Sequence, residues 1–144
     1  MFKHILVPVD GSQNANAALE KAIQFKELTG AELSILTIYR HHSMLEASLS
    51  MVRPEDPGNL DDVMRSHARE VAEGAKARAA ELGAQGRAFV RNGPVARGIV
   101  GFADEHGCDL IVMGGRGLGS IEGYLLGSVS HKVTGMANCP VMIV

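Results

Sequence analysis

Five short apolar runs punctuate the chain, and the segments between them repeat their apolar residues three and four positions apart. The first run, His4-Ile5-Leu6-Val7-Pro8-Val9, is almost continuously apolar, the pattern of a strand covered on both faces. The others are Leu33 to Tyr39, Arg87 to Val90, Leu110 to Met113 and Val141 to Val144. Between them, Ala15, Ala18, Leu19, Ala22 and Ile23 predict a first helix. Met64, Ala68, Val71, Ala72, Ala75, Ala79 and Leu82 predict a long second one. Ala96, Ile99, Val100 and Ala103 mark a third, and Val129, Val133 and Met136 a fourth. Gly30, Gly83 and Gly107 follow helical stripes as stops, and Pro140 opens the last strand.

Strict alternation of strand and helix predicts a parallel sheet joined by right-handed crossovers. The expected architecture is a single three-layer α/β domain over residues 1–144, with strand order 3-2-1-4-5 and two helices on each face. One stretch breaks the rhythm: Arg40 to Leu60 carries Pro54, Pro57 and Gly58. Connections of about 20 residues are uncommon in compact domains. Met44, Leu45, Leu49, Met51 and Val52 inside it suggest packing, either as a short helix over the sheet edge or as a ligand lid.

The 144 residues suffice for one self-supporting core. A net charge of −2, with Lys and Arg scattered singly, argues against nucleic acid as a partner. No signal-peptide pattern opens the chain, and no apolar stretch approaches the roughly 18 residues of a membrane span. The expected location is the cytoplasm, without membrane insertion. Cys108 and Cys139 lie far apart in sequence and outside any Cys-x-x-Cys pattern, and read as reduced, buried thiols. His41-His42 is a weak metal candidate, because adjacent side chains rarely converge on one ion.

Ligands of open parallel sheets sit beyond the carboxyl ends of the strands, where strand order reverses. Two strand ends stand out here. The first is Pro8-Val9-Asp10-Gly11-Ser12; the other is Met113-Gly114-Gly115-Arg116-Gly117-Leu118-Gly119-Ser120, with Gly127-Ser128 opening the next helix. Clustered glycines let backbone approach a ligand and expose successive N–H groups to an anion. Gly127-Ser128 adds a small helix N-terminus with a hydroxyl, and Arg116 a forked donor. The plainer alternative is a tight turn. No Gly-Lys-Ser/Thr occurs, the dinucleotide fingerprint lacks its third glycine, and no Gly-x-Ser-x-Gly elbow exists.

At these residues the sequence resembles the ATP-binding branch of the universal stress protein family, whose marker is Gly, two residues, Gly, nine residues, then Gly-Ser or Gly-Thr. The chain has Gly114, Gly117 and Gly127-Ser128 at that spacing. The likeness extends to Ile5-Leu6-Val7-Pro8-Val9-Asp10-Gly11-Ser12, to Asn92-Gly93-Pro94 and to the closing Cys139-Pro140-Val141-Met142-Ile143-Val144. It implies a Rossmann-like fold of the adenine nucleotide alpha hydrolase-like kind. It also implies ATP as ligand, with Mg²⁺ accompanying it. Gly114, Gly117, Gly127 and Ser128 match the triphosphate positions, Val129 and Ser130 continue that helix turn, and Arg116 stands beside them. Asp10 matches an acidic residue near ribose and adenine, although a turn-capping carboxylate before Ser12 is the alternative. Ile38 matches a backbone position that reads the adenine edge; Pro8 and Val9 would line the same pocket, and Met113 lies just before the loop. His131 departs from the acidic residue common in the family and is expected to be an exposed side chain.

Two functions follow. One is a nucleotide-dependent regulator in stress response, acting on a partner such as a membrane transporter or kinase. The other is a slow ATPase or nucleotidyl-transfer enzyme, disfavoured because no base faces the γ-phosphate. A phospho-acceptor receiver is excluded, since the third strand ends Val90-Arg91-Asn92-Gly93 without the acceptor Asp. The apolar last strand, expected at the sheet edge, predicts a homodimer formed through it.

Overall fold

The computed structural model describes residues 1–40, 57–116 and 126–144. The chain folds as β1 (His4–Pro8), α1 (Gln13–Thr29), β2 (Glu32–Tyr39), α2 (Pro57–Glu81), β3 (Arg87–Asn92), α3 (Val95–His106), β4 (Leu110–Met113), α4 (Ser128–Met136) and β5 (Val141–Ile143). The strands form one sheet in the order β3-β2-β1-β4-β5, and every pairing is parallel. This is the predicted topology, with β1 between β2 and β4 at the switch point.

Strand alternation divides the core into two halves. Ile5, Val7, Leu33, Ile35, Leu110 and Val112 face one side, where α1 and α2 cover them with Ala18, Leu19, Ala22, Ala75 and Ala79. Leu6, Leu36, Ile111 and Met113 face the other, under Ile99, Val100 and Phe102 of α3 and Val133 of α4. Ile5, Leu6 and Val7 are fully buried, which is why β1 reads as an unbroken apolar run.

The helix ends follow their local chemistry. Ser12 caps α1, its hydroxyl accepting from the Ala15 N–H at 3.2 Å, and Gly30 closes it at φ 74°. Gly107 ends α3 at φ 65°. α2 starts seven residues before the first residue of its predicted stripe, with Pro57 in its first position, where a missing N–H costs nothing. Leu82 and Met136 carry the predicted periodicity but are exposed, Leu82 because the helix has ended at Glu81. β3 continues two residues past its apolar run, through Arg91 and Asn92, by pairing with Ile38 and Tyr39. Most of the 40–60 connection lies outside the described residues, and with it the lid or extra helix and the His41-His42 pair.

Asp109, just before β4, ties down the start of β1. Its carboxylate accepts from the backbone N–H of Lys3 (2.9 and 3.1 Å) and of His4 (3.0 Å). Burial pushes this carboxyl up, but the N–H donors of His4 and Lys3 more than offset it and hold Asp109 below its ordinary range. A depressed folded value means the tie stabilises the fold above the unfolded-state value near pH ~4 and is lost as pH falls through the folded one. Asp109→Asn is therefore expected to lower the thermal midpoint at pH 7, with the gap to the parent protein shrinking on acidification. Melting curves from pH 7 to 2 check it; a constant gap would sink the assignment.

Candidate functional site

β1 ends at Pro8, and the chain leaves the sheet through Val9 and Asp10. The Asp10 Oδ1 accepts from the Ser12 N–H at 2.9 Å, while Gly11 turns the chain at φ 87° into the start of α1. Asp10 thus makes the turn contact of the plainer reading and also lines the cavity described below.

At the end of β4 the reason for glycine differs from the one expected. Gly114 does not have a left-handed φ; a Cβ there would stand 2.8 Å from the backbone carbon and the Cβ of Asn14. The first turn of α1 is pressed against the end of β4, and only a bare Cα fits. Asn14 adds a direct bond, its Nδ2 donating to the Arg116 carbonyl at 3.0 Å. α1 therefore fixes where the loop after β4 begins.

The loop's far end is held as well. The Gly115 carbonyl accepts from the Gly127 N–H and from the Ser130 hydroxyl, the latter at 2.9 Å. The same hydroxyl lies 3.1 Å from the Gly127 carbonyl, and Ser130 is buried. Its proton is therefore engaged with backbone carbonyls, and its part in the site is to hold Gly115 and Gly127 together. Beyond that tie, α4 starts at Ser128 with Gly127 as its cap residue, without a side-chain cap from it and without an acidic residue in the first turn. Its leading N–H groups and partial positive charge open toward the cavity.

These strand ends and helix starts enclose a cavity of about 410 Å³. Pro8, Val9 and Asp10 line it from β1, Ile38 from β2, and Met113, Gly114 and Arg116 from β4. Gly127, Ser128, Val129 and Ser130 line it from the start of α4. Every described residue among the sequence candidates is thus in one cavity; Gly117 lies outside the described residues. His131 is exposed.

Six further residues line the cavity: Ser12, Ala15, Leu36, Arg40, Val95 and Ile99. Leu36, Ile38 and Arg40 alternate along one face of β2 and its continuation, so the period of two was the available signal for the first and third. Val95 and Ile99 are one helical turn apart on α3. Together with Leu36 and Ile38 they make one end of the cavity apolar. The other end, at β4 and α4, presents Arg116, the Ser128 position and helix N–H groups. Such a cavity suits a ligand with a flat apolar part and an anionic tail. Among the described residues, no group of three metal-ligating side chains occurs.

Cys108 is buried among α3 and β4 residues, and burial pushes its thiol up to about 12. Cys139, half-buried, packs on the same cluster; its thiol is also raised, chiefly by burial. Both are free. Neither lines the cavity.

Fold and site together define a parallel α/β protein with its cavity at the topological switch point. The model of the Universal stress protein family matches residues 1–144, and the chain belongs to that family. It is 37% identical over 147 residues to universal stress protein YxiE of Bacillus subtilis, covering 100% of this chain and 99% of that one. Among solved structures it is similar to hypothetical protein MJ0577 of Methanocaldococcus jannaschii. That likeness has a TM-score of 0.84 and 28% identity, over 100% of this chain and 96% of the other. It is also similar to a universal stress protein solved in complex with cAMP, with a TM-score of 0.70 and 29% identity over 99% and 96% of the two chains. Among the described residues, no helix is long and apolar enough to cross a membrane.

Proposed function

We propose that the cavity binds ATP and that the protein is a nucleotide-dependent regulator of a partner in stress response. The observation that carries the reading is the gathering of the described candidates, from three strand ends and one helix start, around one cavity of about 410 Å³. The phosphates would lie against Gly114, Arg116, Gly117, Gly127 and Ser128. The base would lie against Leu36, Ile38, Val95 and Ile99, with Pro8, Val9 and Met113 beneath the middle of the ligand. Binding of cAMP by a relative 29% identical supports an adenine nucleotide as the ligand class.

Mg²⁺ fits the donor set only as a companion of the phosphates. It favours one or two carboxylates with phosphate oxygens and water, and Asp10 is the one carboxylate lining the described cavity. With its Oδ1 already accepting from Ser12 N–H, Asp10 is poorly disposed as a general base. The site is built to hold charge rather than to transfer a proton, which favours binding over turnover.

We further propose that β5 pairs with a second copy of the chain. β5 is an edge strand with Val141, Met142 and Ile143 half-buried and Val144 exposed, the kind of edge that recruits another strand. The regulated partner, a membrane transporter or a kinase, would read the nucleotide state of the resulting assembly. One set of measurements tests the reading: titration calorimetry with ATP and Mg²⁺, alongside sedimentation at tens of micromolar. Saturable one-to-one binding to a dimer is expected. Absence of ATP binding would remove the nucleotide reading, and a monomer would remove the edge pairing.

A further inference from the structure

We infer that Gly98, in the second turn of α3 and outside the cavity lining, sets the space available to the base by accommodating the tip of Ile38. The inference rests on the nucleotide reading above. Gly98 sits in regular helix: its N–H donates to the Pro94 carbonyl at 2.9 Å, and its φ is not left-handed. Backbone geometry therefore does not call for glycine, and in a helix interior glycine is worse than alanine. Contact does call for it. A Cβ at Gly98 would stand 2.5 Å from the Cδ1 of Ile38, closer than carbon atoms approach, with the Ile38 Cγ1 next at 3.5 Å. Gly101, one turn on in the same helix, has nothing within 4 Å of the corresponding point.

Ile38 is fixed at its Cα by pairing with Arg91 of β3, so only its side chain can yield. Ile38, Val95 and Ile99 all line the cavity, so the cavity is the free volume into which the Ile38 tip can turn. A methyl at Gly98 therefore turns the Ile38 tip into the apolar end, where a base would lie, and leaves the Gly114–Ser128 end untouched. Gly98 is a positioning residue: it acts on the ligand through Ile38.

The test compares the parent protein, Gly98→Ala, Gly101→Ala and the double variant Gly98→Ala/Ile38→Val by calorimetry with ATP and with inorganic triphosphate. Circular dichroism reports the fold. Gly98→Ala is expected to weaken ATP about tenfold, the scale of one misplaced methyl group in an apolar pocket, with triphosphate binding unchanged. Gly101→Ala is expected to bind both as the parent does. Ile38→Val removes the Cδ1 that clashes and is expected to restore ATP binding. A folded Gly98→Ala protein with parental ATP affinity overturns the inference, as does failure of Ile38→Val to rescue or equal loss of ATP and triphosphate. A Gly98→Ala chain that does not fold also overturns it, because the cavity should absorb the displaced tip. If the parent binds triphosphate but not ATP, or neither, the nucleotide reading itself has failed, and the inference falls with it.

Discussion

Gly114→Ala is expected to lower the thermal midpoint by about 2–12 °C and to weaken nucleotide binding at least about tenfold. The new methyl would lie 2.8 Å from Asn14 backbone and side-chain atoms and 2.9 Å from its carbonyl oxygen. Backbone on one side and a helix start on the other give it no flexible tip to displace. Overpacking of this kind costs about 1–3 kcal/mol, and for a domain of this size each kcal/mol moves the midpoint by about 2–4 °C. The binding loss has a separate cause. Separating α1 from β4 breaks the bond from Asn14 Nδ2 to the Arg116 carbonyl and shifts the backbone at the start of the glycine loop. Thermal melts followed by circular dichroism, with calorimetry on the same samples, check both parts. An unchanged midpoint would mean that the two elements can part at no cost.

Ser128→Ala should have the opposite profile, a large binding effect on an undisturbed fold. Ser128 is exposed at the first position of α4, and alanine is the better helix former, so the midpoint should stay within about 1–2 °C. On the ATP reading, what is lost is one hydroxyl donor to a charged phosphate. Such a bond is worth roughly 1.5–3 kcal/mol, or about ten- to hundred-fold in affinity. Calorimetric titration with ATP and Mg²⁺ measures it. Parental affinity in the folded variant would put the phosphates elsewhere.

Most of the fold was readable because its signals are local. Ile5-Leu6-Val7 announces a strand buried on both faces, and Gly30 and Gly107 announce helix stops. The strand order 3-2-1-4-5 in turn places Asp10 and Gly114 at adjoining strand ends. The candidate residues were readable through resemblance, since Gly114, Gly127 and Ser128 keep the spacing of the family's marker. What escaped was non-local. Gly114 was expected to give its backbone freedom to a ligand, whereas a contact with Asn14, 100 residues earlier in sequence, is what forbids a side chain there. Ser130 was expected beside the phosphates as one more polar lining group. Its tie to Gly115 depends on the loop closing back, which no periodicity encodes. Arg40 went unnoticed because it was read as the start of an irregular connection rather than as the next inward position after Ile38.

The backbone bonds around Gly115 tie the start of the loop to the edge strand. The Gly115 N–H donates to the Val144 carbonyl at 3.2 Å, and the Val144 N–H donates to the Met113 carbonyl at 3.0 Å. The Gly115 carbonyl, on the opposite side of the same residue, receives the Gly127 N–H and the Ser130 hydroxyl. A displacement of Gly115 toward or away from an anion would reach the end of β5 through this one residue. Linkage makes the traffic two-way. On the proposal that β5 pairs with a second copy, whatever free energy an occupied loop adds to that pairing, the pairing adds in equal measure to occupancy of the loop, so concentration of the protein and concentration of its ligand would be interchangeable inputs to one response.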